Sequence, residues 1–203
     1  MNEAQLLIAT TNEGKKKEIE KTLSSLPLTI LSLADLNITS QFPETGIDFL
    51  ENARGKSLFY GQKWGGLTLG EDSGLEIGHL NGEPGVFSAR FSGPGSTDKT
   101  NNDKVLRLMK GIPFAERQAK FVSCMVLSEN GAVMAVFRGE VEGYISLDSR
   151  GKGGFGYDPL FYYPPLKKTF GGMRPEEKNR VSHRGRALVK LRTFLEEHLG
   201  ASS

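Results

Sequence analysis

An apolar run beginning at Leu67 ends on two adjacent carboxylates, Glu71 and Asp72, followed at once by Ser73-Gly74. If a strand continues through them, successive side chains leave on opposite sides, so at most one acid is aimed into a cleft unless the backbone turns there. Asp72, beside Ser73-Gly74, is taken as that acid. Acids clustered at a strand end point to metal chemistry. Glu44 and Glu51 lie in polar surroundings elsewhere, which gives oxygen donors enough to hold a hard cation together with phosphates and water. No zinc ligand spacing occurs.

A chain of 203 residues that is 37% apolar can bury a substantial core as one compact unit or two closely joined lobes. Twenty-six basic residues against 24 acidic leave a net charge of +2, too balanced for wholesale nucleic-acid binding, so any anion site is local. No basic segment precedes a long apolar stretch at the N-terminus, and no run of 18 apolar residues occurs, so no membrane partner is expected. The single cysteine, Cys124, cannot form an internal disulfide and fits a reducing cytoplasm. Neither flank offers it an activating base, so it reads as a small buried apolar residue.

Leu6 to Ala9 reads as a buried strand, and Ile19, Leu23 and Leu26 recur at helical spacing after it. Thr11 or Asn12 can cap that helix, which places backbone N–H groups and Lys15 at a positive helix N-terminus. Leu28 to Leu33 reads as a second strand. From Asp48 to Trp64, Leu50, Ala53, Tyr60 and Trp64 fall on one helical stripe while Asn52, Lys56 and Lys63 fall on another, so Asn52 and Lys56 can point to one place. Leu67 to Leu69 and Leu75 to Leu80 look like separate strands. Polar Ser96 to Lys104 leads into a helix containing Val105, Leu108 and Met109, and Gln118 to Leu127 and Ala132 to Ile145 look like long antiparallel strands. The last helix, from about Arg184 to Leu199, has Ser182 as its natural N-cap, with His183 and Arg184 in its first turn.

Gly14-Lys15 is not a P-loop, because Ala9 stands where that motif needs its first glycine and Lys16 where it needs Ser or Thr. Thr10, Thr11, Asn12 and Lys15 at a strand-to-helix junction still form a plausible phosphate cradle. Gly151 to Asp158, GKGGFGYD, suits a backbone bending closely around a flat ligand, with Phe155 or Tyr157 available to stack on a base. Lys178, His183 and Arg184 supply donors for phosphate or for a keto oxygen. A Ser182-His183 nucleophile pair is disfavoured, since no orienting acid stands nearby.

Five segments then occur in one order: TTNEGK (Thr10 to Lys15), FLENARGKS (Phe49 to Ser57), LGEDSGLEIGHLNGEPGVFSARFSG (Leu69 to Gly93), GGFGYDPLF (Gly153 to Phe161) and EEKNRVSHRGRAL (Glu176 to Leu188). Together they resemble the inosine triphosphate pyrophosphatase family over nearly the whole chain. The resemblance implies an α/β fold, a long mixed twisted sheet flanked by helices, forming a single domain (1–203) of two lobes with the nucleotide groove between them. It also implies a homodimer and a cytoplasmic enzyme that uses Mg²⁺. The reaction would hydrolyse non-standard purine nucleoside triphosphates (ITP, dITP, XTP) to monophosphate and pyrophosphate, which removes them from the nucleotide pool. Carried over by motif, Thr10, Thr11, Asn12, Glu13, Gly14 and Lys15 hold the triphosphate and Lys56 adds a phosphate contact. Glu44 and Asp72 serve the metal, Asp72 is also the general base, and Ser73 touches substrate. Phe155, Gly156, Tyr157, Asp158, Lys178, His183 and Arg184 match base-binding positions. Glu71 stands where many members carry Asp, and Thr11 where a small residue is common; whether Glu71 reaches the metal, its waters or neither is left open. A Maf-type pyrophosphatase is argued against by SHRGRAL and GGFGYDP. A single-strand nucleic-acid binder would want an extended basic track, which Glu176 and Glu177 interrupt.

Overall fold

Leu6, Leu7, Ile8 and Ala9 are all buried to within 1%, as a strand covered on both faces requires. They form β1 (Ala4–Ala9) in a computed structural model that describes residues 4–200. Alternate residues enter different cores: Leu6 and Ile8 pack with α1 (Glu13–Leu23), and Leu7 and Ala9 with Leu33 and Tyr60. β1 pairs in parallel with β2 (Leu28–Ser32) and with β3 (Leu67–Ile77). Between them lies α2 (Phe49–Trp64), begun by Asp48, whose side chain accepts from the Glu51 N–H, and ended by Gly65 at φ 85°.

α3 (Asp98–Leu108) follows, then β4 (Gln118–Glu129) and β5 (Ala132–Ile145), joined by Asn130-Gly131 with both residues at positive φ, the two-residue turn that matches strand twist. The short strands β6 (Phe161–Tyr163) and β7 (Lys168–Thr169) add antiparallel pairings. α4 (Pro175–Val181) and α5 (His183–Gly200) close the chain. The seven strands lie in the order β2-β1-β3-β4-β5-β6-β7, a mixed sheet flanked by helices, as expected. No described helix is long and apolar enough to cross a membrane.

By contact the chain divides into two compact units. The first comprises Met1–Asp72, Ser123–Gly139 and Gly185–Ser203, and the second Ser73–Val122 and Glu140–Arg184. The first is built on Leu6, Ile8, Ile19, Leu69, Leu127 and Leu191 among others, and the second on Leu75, Val105, Met109, Phe121, Phe161 and Phe170. β3, β4 and β5 each pass from one unit to the other along their own backbone.

Several expectations are corrected. The two strands expected over Leu67 to Leu69 and Leu75 to Leu80 are one strand ending at Ile77, and Gly78–Leu80 is a 3-10 turn. On α2 burial does not divide the two stripes as drawn: Asn52 and Lys56 are covered together with Ala53 and Tyr60, while Leu50 is 38% exposed and Lys63 is exposed, because a buried helix face can carry polar groups where charges are paired. The polar stretch before Val105 is itself helical from Asp98, since Thr97 and Thr100 form a capping box. Leu108 is exposed on that helix.

Cys124 is buried and free, as read. Burial pushes its thiol up to about 11. At pH 8 its alkylation should be slower by roughly 10²-fold in the native protein than in denaturant, the ratio of the thiolate fractions. Equal rates in the two states, measured by mass spectrometry, would show the site to be open.

Candidate active site

Glu71 and Asp72 are both buried, at 1% and 6% exposure, in the middle of β3. Strand alternation gives the two side chains different neighbours. Glu71 Oε1 accepts from Ser123 Oγ at 2.9 Å, and Lys15 Nζ lies 2.8 Å from Oε2. Asp72 Oδ1 meets Lys56 Nζ at 2.9 Å, and its Oδ2 accepts from Asn52 Nδ2 at 3.2 Å.

Gly70 makes this possible from the helix side. A Cβ there would stand 2.2 Å from the Ala53 carbonyl oxygen and 2.5 Å from the Ser57 nitrogen. Only glycine lets α2 approach β3 closely enough for Asn52 and Lys56, four residues apart on one face, to reach Asp72. Asn52 Oδ1 also accepts from the Gly46 N–H, and the Tyr60 hydroxyl accepts from the Phe42 N–H. These bonds lay residues 42–46 along α2 and bring Glu44 to Lys56, with Nζ to Oε1 at 2.6 Å. Glu51, counted in sequence as an oxygen donor, instead accepts from the Ile47 N–H beside its own helix start.

Lys56 is therefore shared by two carboxylates and also donates to the Glu71 carbonyl at 3.3 Å. Burial works against its charge, but Asp72 and Glu44 outweigh burial and hold its pKa above the ordinary lysine value. Asp72 is raised: burial is the largest cause, opposed by Lys15 and Lys56 and helped by Glu71. A raised carboxyl is a better proton acceptor than an exposed one.

The donor set fits a hard cation. Among the described residues no group of three or more His, Cys, Asp or Glu is disposed to hold a metal. Magnesium commonly takes only one or two protein carboxylates and completes its shell with phosphate and water. Glu44 and Asp72, already gathered about one ammonium, are the two carboxylates such an ion would take.

At the start of α1, Asn12 is the cap: its Oδ1 accepts from the Lys15 N–H at 3.0 Å, and Thr10 Oγ1 accepts from the Asn12 N–H at 3.2 Å. Thr11, Asn12 and Glu13 are exposed beside them. Lys15 is turned onto Glu71, a partner that sequence reasoning did not assign it.

Ser73, the next residue after Asp72, belongs with the second unit's cluster. Arg184 is 2% exposed, and its Nη2 donates to Ser73 Oγ at 2.8 Å. Phe155 lies beneath two cations, with Lys178 Nζ at 4.6 Å and Arg184 Cζ at 5.4 Å from the ring centre. Asp158 Oδ2 accepts from the Phe155 N–H at 2.9 Å and pairs with Lys178 Nζ at 2.5 Å. Lys178 is thus committed to Asp158 from within α4, an element not anticipated. His183 stacks on Phe121 at 4.6 Å and 12°. Of the two rings considered for stacking, Tyr157 is buried in the core with its hydroxyl on the Ser88 carbonyl, whereas Phe155 is only half-buried.

Sequence reasoning missed the Ser123 contact to Glu71 and the hydrogen bonds of Asp98 and Asn102 to the Gly156 backbone. Ser123 leaves a signal, a hydroxyl inside the apolar run FVSCMV. The Asp98 and Asn102 contacts are tertiary and leave none.

A model of the Ham1 family matches residues 6–194. The dITP/XTP pyrophosphatase of Thermoanaerobacter pseudethanolicus is 41% identical over 195 residues, covering 96% of this chain and 98% of that protein. That of Geobacter sulfurreducens is 42% identical over 196 residues, covering 97% and 96%. Among solved structures, a HAM1 protein from Coxiella burnetii aligns with a TM-score of 0.88 at 37% identity, covering 96% of this chain and 99% of that one. The Ham1 protein of Staphylococcus aureus aligns at 0.86 and 35% identity, with the same coverage.

Lys56→Met should leave Asp72 and Glu44 crowded without their ammonium. Breaking a buried pair this way costs about 3–5 kcal/mol, and the partly exposed Glu44 places the expectation at the lower end. Adding Asp72→Asn should recover part of the loss. Denaturant unfolding checks both, and a Lys56→Met protein as stable as the parent would remove the pairing from the account.

Proposed function

The chain belongs to the Ham1 family, and from that premise we propose that it is a nucleoside-triphosphate pyrophosphatase acting on non-standard purine nucleotides such as ITP, dITP and XTP. The observation that carries the reading is the pair of consecutive residues on β3: Asp72 among lysines and carboxylates, and Ser73 on a buried arginine beside Phe155. Phosphate chemistry belongs to the first and base recognition to the second.

The α1 N-terminus, from Thr10 to Lys15, offers N–H groups and a lysine to a triphosphate of charge roughly −4. Lys56 adds a second ammonium. Glu44 and Asp72 would hold Mg²⁺, which when bound supplies charge neutralisation for the phosphates. Water attacks the α-phosphorus as Asp72 takes its proton, the bond from that phosphorus to the bridging oxygen breaks, and pyrophosphate leaves with that oxygen. Glu71, turned onto Lys15 and Ser123, orients the lysine and is not assigned to the metal.

Specificity follows from what Arg184 can do. It only donates hydrogen bonds. A 6-keto oxygen in inosine or xanthine accepts from it, whereas the amino group of adenine opposes donor to donor beside a buried charge. Phe155 supplies the stacking face, with Gly156, Tyr157 and Asp158 shaping the loop and His183 and Lys178 beside it. The family resemblance further supports a homodimer in the cytoplasm, with Met1 to Ser203 forming one domain of two lobes, and no nucleic acid or membrane as partner.

Incubation with ITP, XTP, GTP and ATP, with pyrophosphate assayed, tests the reading. ITP and XTP should exceed GTP, GTP should match or exceed ATP, and excess chelator should abolish turnover. Arg184→Ala should lower kcat/KM for ITP by roughly 10–100-fold, the worth of a hydrogen bond to a charged group, and leave ATP nearly unaffected. Equal efficiency with ITP and ATP in the parent protein would end the specificity claim, and full turnover in chelator would end the metal claim.

A further inference from the structure

Gly156 is gripped at both sides by a single helix. Its N–H donates to Asp98 Oδ2 at 2.7 Å, and its carbonyl accepts from Asn102 Nδ2 at 3.0 Å. Asp98 and Asn102 are four residues apart in the first two turns of α3, and so lie on one face. Asn101, between them in the chain, grips a different segment: its Nδ2 donates to the Ala89 carbonyl at 3.1 Å, and its Oδ1 accepts from the Ser92 N–H at 2.8 Å. Tyr157, next to Gly156, is tied by its hydroxyl to the carbonyl of Ser88 at 2.7 Å. One end of α3 therefore fastens the glycine loop and the 88–92 segment into a common frame.

We propose that Asp98 and Asn102 are positioning residues for base recognition, which fix Gly156 and through it the Phe155 ring and the Asp158 carboxylate. The proposal rests on the reading of Phe155 to Asp158 as the base-binding loop. Gly156 has no side chain by which packing could locate it, so its backbone groups must do so. Phe155 and Asp158 are already linked to each other, by Phe155 N–H to Asp158 Oδ2 and by Asp158 N–H to the Phe155 carbonyl at 3.2 Å. A closed turn of this kind moves as a unit, and the α3 clip decides where it sits. Asn102 shows a cost consistent with such a duty: its Oδ1 is buried and accepts no hydrogen bond from the described protein, although its Nδ2 is used.

The clip is tested by Asp98→Ala, Asn102→Ala, the double variant and Asp98→Asn, comparing KM and kcat for ITP and ATP alongside thermal unfolding. Each alanine variant should raise KM for ITP roughly 5–10-fold, the worth of one hydrogen bond, and should shrink the ITP over ATP preference. The effect should fall on KM more than on kcat. Asp98→Asn keeps an oxygen that can accept from Gly156 N–H, so it should restore both values even though it loses the charge at the helix start. The double variant should cost less than the product of the two single effects, because both act on one peptide. Variants that melt earlier but keep the parent KM and preference would overturn the proposal and leave a structural helix contact. So would Asp98→Asn behaving as poorly as Asp98→Ala. A parent protein that itself does not prefer ITP would sink the base-site reading and this proposal with it, whereas preference kept in every variant sinks the clip alone.

Discussion

The structure turns on two carboxylates buried side by side in an unbroken strand. An ionised carboxylate taken out of water costs several kcal/mol unless it is paired, and β3 carries one on each of two successive residues. Each is met by its own lysine and by one neutral donor: Lys15 and Ser123 for Glu71, Lys56 and Asn52 for Asp72. Those requirements dictate much else in the first unit. α1 must begin where Lys15 can reach inward, α2 must come close enough to need glycine at position 70, and residues 42–46 must return along α2 to deliver Glu44.

Such an arrangement is poor for stability and useful for chemistry. Well-packed apolar residues of similar volume would cost less to bury. In the proposed role the charges would provide fixed dipoles and lysines in place before a polyanion arrives, which would leave little reorganisation for the moment of reaction. The second unit repeats the strategy with Lys178 on Asp158 and Arg184 on Ser73, both against the ring of Phe155.

Much of this was legible in the residues themselves. Helical spacing places Asn52 and Lys56 together, and residue type narrows the α1 cap to Thr11 or Asn12, of which Asn12 is the one used. The failures share one physical cause, which is that burial was inferred from apolarity. β3 reads as two strands broken at its acids, because a single sequence does not display the lysines that neutralise them, and α2 gives no sign of which residues of its two stripes are covered. The start of α3 was missed because DKTNND is polar, although Thr97 and Thr100 hold the cap that starts it. Tyr157 and Phe155 looked equivalent until the Ser88 carbonyl claimed one of them.

The central claim is that Asp72 takes the proton of the attacking water, and Asp72→Asn tests it most directly. Asparagine keeps the shape and can still meet Asn52, so the fold should persist. Turnover of ITP should fall by about 10²–10⁴-fold, the range for removal of a general base. Paired measurements of kcat and thermal unfolding on the two proteins decide the matter: an intact fold with that loss is the predicted result, and an intact fold with a near-normal rate would contradict the account.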